Sequence, residues 1–196
     1  MAALGVAAAG LALTVLASLG ALGGKVSGPE RAVFRAINGL PDWLERPMWA
    51  LQLLGVIVTT LVAAAVAAAF RRWRLALALA ALAPLKLVAE RNVLKKLVER
   101  QRPGQNEPGA ILRDVPPAGL SFPSGHAIIA VGIATLVWPY LGRAGRVVAV
   151  VLALAVCVAR VYLGAHNPLD VVAGAGLGLL LGGLLTLLVG VPPPRR

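Results

Sequence analysis

Six stretches of this chain are apolar over lengths that a lipid bilayer accommodates: Ala2–Leu22, Pro47–Phe70, Leu75–Val98, His126–Leu141, Val147–Tyr162 and Pro168–Val191. A helix needs about 20 such residues to cross the hydrocarbon, and it is the open-chain form whose backbone groups are all satisfied there. The fourth and fifth stretches are short for a crossing, so their ends are the least fixed. The fold expected is therefore all-α: an integral membrane bundle of six transmembrane helices, forming a single membrane domain over residues 1–196. The first stretch has no basic residue ahead of it, which argues for a helix rather than a cleaved signal. Composition agrees, with 59% hydrophobic and only 14% charged residues, against about 25% charged in soluble domains. Small residues fill many apolar positions. On the last stretch, Gly174, Gly178 and Gly182 form a stripe suited to close helix packing in lipid.

Between the first two apolar stretches, Ser27–Pro47 reads as an interfacial segment. Ser27 and Glu30 have capping-box spacing and Pro29 falls in the first turn. Val33, Phe34, Ile37 and Leu40 follow at helical spacing, with Arg31 and Arg35 elsewhere, and Asn38-Gly39 with Pro41 divides the segment into two short pieces.

The net charge of +11 would suggest a polyanionic partner for a soluble chain. Nucleic acid is excluded by distribution: the basic residues lie in short joints and one central cluster, without the interleaved aromatics that stack bases. An even number of spans puts both termini on one side, together with Arg71, Arg72, Arg74, Arg143, Arg146, Arg195 and Arg196 and no acid. The positive-inside tendency then places both termini in the cytoplasm of a plasma (inner) membrane and the remaining charged residues outside. The one cysteine, Cys157, sits in an apolar stretch, so neither a disulfide nor a cysteine metal site is available.

Three blocks put polar residues where a bilayer resists them. Lys95 and Arg102 are seven apart, two helical turns, which predicts two cations on one face of the third helix with Pro103 ending it; a solvated helix end would carry the same residues. Pro123-Ser124-Gly125-His126 precedes the fourth stretch. A Ser-Gly turn opening a helix offers free N–H groups and the positive dipole end to an anion, although Ser124 could equally serve only as an N-cap. His126 has no capping rationale. In the third block Arg160 closes the fifth stretch, and His166 and Asp170 lie four apart at the start of the sixth. The carboxylate can fix one ring nitrogen and leave the other as a nucleophile. Both histidines of the chain thus fall at helix starts on one face, beside groups suited to phosphate. Lys86 and Glu90, also four apart, are expected to pair within the bundle.

Lys95-x6-Arg102-Pro103, Pro123-Ser124-Gly125-His126 and Arg160-x5-His166-x3-Asp170 resemble the three-part signature of the type 2 phosphatidic acid phosphatase superfamily. Ala159 departs from it, standing where the family usually has serine. The resemblance implies a lipid phosphate phosphatase in which His166 attacks phosphorus, Asp170 holds it, and His126 protonates the departing alkoxide and then helps activate water. Lys95, Arg102, Ser124, Gly125 and Arg160 would hold the non-bridging oxygens. Those cations stand where Mg²⁺ would otherwise act, and no His/Asp/Glu cluster of metal-site character is visible in the sequence, so neither metal nor cofactor is expected. The partners implied are a membrane lipid phosphate and the bilayer, with no obligatory protein partner. A polyprenyl phosphate or diphosphate, phosphatidic acid and phosphatidylglycerol phosphate all fit. A phosphotransferase using the same site is the alternative within the chemistry; a transporter or scaffold is the alternative outside it, and would place its charges near the midplane.

Overall fold

The small residues of the last apolar stretch decide how the bundle closes. In the computed structural model, which describes residues 2–190, that stretch is α10 (Pro168–Val189), and α1 (Ala2–Ala21) lies along most of it. Gly10 comes so close that an added Cβ would meet the Leu180 nitrogen at 2.4 Å and the Gly176 oxygen at 2.6 Å. The predicted Gly174/Gly178/Gly182 stripe faces the opposite way, onto α8 (Gly125–Val137), where Ala127, Ile128, Gly132 and Thr135 fill the gap. Two glycine faces thus let α10 sit between two neighbours at backbone distance, where dispersion rather than the hydrophobic effect drives association in lipid. Val191, Arg195 and Arg196 lie outside the described residues.

All six apolar stretches are helical, and the described residues contain no strand beyond an isolated bridge between Gln101 and Leu120. Three helices are long and apolar enough to cross a membrane: Ala2–Gly24, α9 (Arg143–Tyr162) and α10. A fourth crossing is available if a bent pair counts as one. Asp42–Gly55, containing α3 (Glu45–Gln52), meets α4 (Ile57–Ala69) at 61° across an extended Val56. The third stretch is longer but interrupted: α5 (Trp73–Leu87) carries Pro84, runs into a π-helical turn at Val88–Leu94 and finishes as α6 (Lys95–Val98). The fourth, Gly125–Tyr140, is short.

Between the first two stretches lies α2 (Gly28–Asn38). Of its expected apolar stripe, Phe34 is buried with Ala127, Cys157, Val161 and Val171 and Ile37 packs against them, whereas Val33 is half exposed at 48%. The capping box is incomplete. Ser27 Oγ accepts from the Glu30 N–H at 3.3 Å, but the Glu30 carboxylate turns inward instead of back to Ser27. Asn38 does the tying: its side chain donates to the carbonyls of Ile111 and Tyr162, both at 2.9 Å, and accepts from the Ile111 N–H at 2.8 Å.

Candidate active site

The three sequence blocks converge at one end of the bundle, and the way each arrives follows from its local backbone. The first does not arrive as predicted. The helix ends at Val98 and Glu99 takes a left-handed conformation with φ of 48°. Arg102 therefore lies beyond the helix, on the extended residue that caps the one-turn α7 (Pro103–Asn106), so Pro103 opens a helix instead of closing one. The chain reversal, rather than a shared helix face, brings Arg102 back toward the site, where its Nη1 donates to the Ala165 carbonyl at 3.0 Å. Lys95 pairs with Glu90 at 2.8 Å, and the same carboxylate takes Lys86 at 2.5 Å, so the expected Lys86–Glu90 pair is present with a third member.

The second block meets the first at Gly125. A Cβ there would stand 2.7 Å from Lys86 Nζ and 2.9 Å from Glu90 Oε2. Ser124 occupies the N-cap position of α8, but its side chain makes no capping bond; the hydroxyl is buried with no partner at all. Capping alone thus does not account for Ser124. Its backbone N–H donates to the Asp170 carbonyl at 2.8 Å, which joins the second block to the third. His126, half-buried on the first turn, has its Cβ and carbonyl 2.8 Å from the Cβ position of Gly55, where the bent pair breaks.

In the third block a turn after α9 presents His166, and Asn167 starts α10 with a capping box in which Asp170 Oδ2 accepts from the Asn167 N–H at 2.9 Å. The same oxygen lies 3.6 Å from His166 Nδ1. This is longer than a made hydrogen bond, as is common for catalytic contacts before substrate is bound, and it leaves Nε2 as the free nitrogen. His166 is 4% exposed and Asp170 fully buried. Burial first, and then the positive charges of Arg160, Arg102 and Lys95, hold the His166 imidazole well below its ordinary value, with Glu90 opposing. Burial likewise draws the Arg102 guanidinium below its usual value. Arg160 points its Nη1 at Gln52 Oε1 of α3, and its Nε is buried without a partner. Ala159 is completely buried.

Two positions escape a reading of the sequence. Gln52, near the end of α3, touches Arg160 across 108 residues of chain, and nothing in its neighbourhood marks it. Arg100, one basic residue among many, is the largest fully buried side chain and contacts Asp170. Only its position two residues before Arg102 draws attention to it. Arg91, which adjoins the first block, is exposed.

Fold and geometry together describe a helical bundle of membrane character, in which cations, two histidines and buried carboxylates meet at one end. The chain belongs to the PAP2 superfamily, whose family model matches residues 71–191. Decaprenylphosphoryl-5-phosphoribose phosphatase of Mycobacterium tuberculosis is 38% identical over 94 residues, 47% of this chain and 50% of that protein. Phosphatidylglycerophosphatase B of Bacillus subtilis is 35% identical over 100 residues, 46% of each chain. The chain spans about half the length of the curated relatives it matches. The crystal structure of a transmembrane PAP2 type phosphatidylglycerolphosphate phosphatase from Bacillus subtilis is similar over 92% of this chain and 95% of that one, with a TM-score of 0.71 and 25% identity. Aquifex aeolicus LpxE shares the fold, with a TM-score of 0.62 at 23% identity over 80% of this chain and 93% of its own.

Proposed function

We propose that this protein is a metal-independent phosphatase of membrane lipid phosphates that works through a phosphohistidine. The observation that carries the reading is the His166–Asp170 pair, buried, with Nδ1 toward the carboxylate at 3.6 Å, which leaves Nε2 free in the positive field of Arg160, Arg102 and Lys95. His166 Nε2 attacks phosphorus. The bond from phosphorus to the lipid oxygen breaks, its electron pair stays on that oxygen, and His126 delivers the proton. Water, deprotonated by His126, then cleaves the nitrogen–phosphorus bond, releasing inorganic phosphate and neutral His166. Lys95, Arg102, Arg160, the unpartnered Ser124 hydroxyl and the Gly125 amide hold the non-bridging oxygens. Preorganised donors of this kind supply most of the stabilisation in phosphoryl transfer.

The substrate class is a phosphate or diphosphate on a long apolar tail, and a polyprenyl carrier is favoured; the name of the mycobacterial relative supports this reading. Purified protein should release phosphate from such a lipid in EDTA, with inhibition by vanadate. Transfer to an added alcohol exceeding hydrolysis would favour the phosphotransferase reading.

Within this reading the whole chain is one membrane domain with six crossings, the interrupted helix Trp73–Val98 and the short Gly125–Tyr140 completing the four by length, and α2 lies at the outer interface. The termini are cytoplasmic and the site faces outward, which the acid-free far end of the bundle supports. Cys157 is buried, so introduced thiols can be read against a quiet background. A cysteine at exposed Ala118 should react with an impermeant reagent in intact cells and one at exposed Gly142 should not. The reverse pattern would invert the topology.

A further inference from the structure

Arg100 is a guanidinium with no access to solvent, held between two carboxylates that come from distant parts of the chain. Its Nη1 donates to Glu30 Oε1 at 2.9 Å and to Asp170 Oδ1 at 3.2 Å, and its Nη2 donates to Glu30 Oε2 at 2.6 Å and to the Lys25 carbonyl at 3.1 Å. Glu30 Oε1 also accepts from the Leu169 N–H at 2.9 Å, in the first turn of α10. Glu30 and Asp170 are themselves buried, at 6% and 0% exposure.

Charge balance separates two explanations of this cluster. A tie that only fastens α2 to the bundle is complete with Glu30 and Arg100, since the two-pronged pair neutralises itself in a geometry that suits both groups. Asp170 then adds a second carboxylate and leaves the buried cluster one negative charge in excess. Burying an uncompensated charge is costly, and the titratable group beside the other carboxylate oxygen is the ring of His166. Glu30 thus occupies Arg100 on one side, so that Arg100 can orient Asp170 without cancelling its charge. With Oδ1 fixed by Arg100 and Oδ2 by the Asn167 N–H, the carboxylate cannot turn away from His166 Nδ1.

We infer that Arg100 and Glu30 are positioning residues for the histidine nucleophile, aiming Asp170 at His166 and setting the negative charge beside it. The inference rests on the phosphohistidine reading. Other charges also face His166: Arg160 from α9, Arg102 from the extended segment, Lys95 and Glu90 from the third helix, and His126 from α8. The cations favour a neutral ring. The excess charge on Asp170 is the counterweight that lets the ring carry positive charge as its bond to phosphorus forms.

Two neutralising substitutions and their combination test this, read on a short-chain phosphatidate in detergent as the pH dependence of kcat/KM. Arg100→Gln leaves two uncompensated carboxylates near His166, so the imidazolium is favoured and the acid limb should move up by roughly one pH unit. Glu30→Gln lets Arg100 cancel Asp170. Here kcat should fall about tenfold, the order by which outer partners of a catalytic group act, with KM nearly unchanged. The double variant has one negative charge again, and it should recover both the limb and activity relative to either single variant. A merely structural tie predicts an unmoved limb and a double variant worse than each single one, and that result overturns the inference. Should Arg100→Gln fail to fold, Glu30→Gln and the double variant decide alone, because a double variant no better than Glu30→Gln also overturns it. His166→Ala run alongside separates the two levels. If it still turns over substrate, the nucleophile assignment has failed and the inference falls with it; if it is inactive, the other variants bear on Arg100 and Glu30 alone.

Discussion

The two ends of the bundle use the same residue type in opposite ways. At the site end the cations pair with acids: Arg100 with Glu30 and Asp170, Lys86 and Lys95 with Glu90, Arg31 with Glu107, and Arg113 with Asp42, its guanidinium also lying 4.1 Å over the Tyr162 ring. Five of the eight acids of the chain, Glu30, Asp42, Glu90, Glu107 and Asp170, take part in these pairs. At the far end Arg72 and Arg146 have aromatic rings for neighbours, Tyr140 at 5.8 Å and Trp138 at 5.2 Å, and no acid. An apolar cleft of about 760 Å³ opens there among α1, α8, α9 and α10, lined by residues such as Val6, Val131, Val150 and Leu179. The difference teaches that net charge by itself says little. Cations paired with acids tie distant segments of the chain together, while cations over aromatics with no acid beside them suit an interface with lipid headgroups.

The largest effect that would break this comparison belongs to the proposed nucleophile. His166→Ala should abolish turnover by at least about 10⁴-fold, as loss of a nucleophile does elsewhere, and leave no acid-labile phosphoenzyme on quenching. On the proposed mechanism the neutral ring is the active form, and burial holds His166 well below its ordinary value. Its protonation should therefore reduce kcat/KM only below the ordinary imidazole range, and a loss centred near pH 6.5 in the phosphoenzyme-forming step would contradict the burial described.

Next comes His126→Ala, which should cost roughly 10²–10⁴-fold on a lipid monophosphate, whose alkoxide needs a proton, and much less on an aryl phosphate or a lipid diphosphate. Equal loss on good and poor leaving groups would make His126 a phosphate holder instead of an acid. Gly125→Ala sharpens the comparison from within the site end. Its methyl group would displace Lys86 and Glu90, which lie 2.7 and 2.9 Å away, so kcat/KM should drop about tenfold, in the range for loosened supporting groups, with the protein still folded by size-exclusion. The smallest effect is expected at the far end, where Arg146→Gln should change kcat/KM less than about twofold, since a half-buried charge far from the site acts on it weakly. A larger loss would mean the two ends are coupled.

How much of the molecule is legible in its sequence depends on the distance over which each feature is encoded. The helical stretches are readable because each is local: α9 runs to Tyr162 and α10 starts at Pro168, as the apolar runs and Pro168 indicate. The Lys86–Glu90 pair is readable for the same reason. The approach of Arg102 is not, because helical spacing does not carry past Val98, and a left-handed Glu99 gives no strong signal in a residue other than glycine. Glu30 has the spacing of a local capping box, yet its partners are 70 and 139 residues away. Phe34 shares helical spacing with Val33 in a segment that reads as interfacial, although it is 1% exposed. Val33 and Trp43, at 48% and 75%, are the better probes of a membrane-facing role for this segment.

The π-helical turn at Val88–Leu94 makes the winding of the third helix as demanding as any of its side chains. A π turn holds one residue more than the α turn it replaces. Losing a single exposed residue such as Asn92 would let the turn relax to regular winding with the helix beyond it nearly in place, whereas regular winding with all seven residues kept would swing everything beyond it by about 100°. Lys86 would stay where it is, while Lys95 would rotate away from Glu90 and from the ring of His166. A substitution that abolishes the π turn would thus displace Lys95 with every motif residue still present, whereas the loop between Arg102 and Ser124 is free to vary in length wherever its backbone ties are kept. Change in this chain is filtered by register on one side of Arg102 and by anchoring on the other.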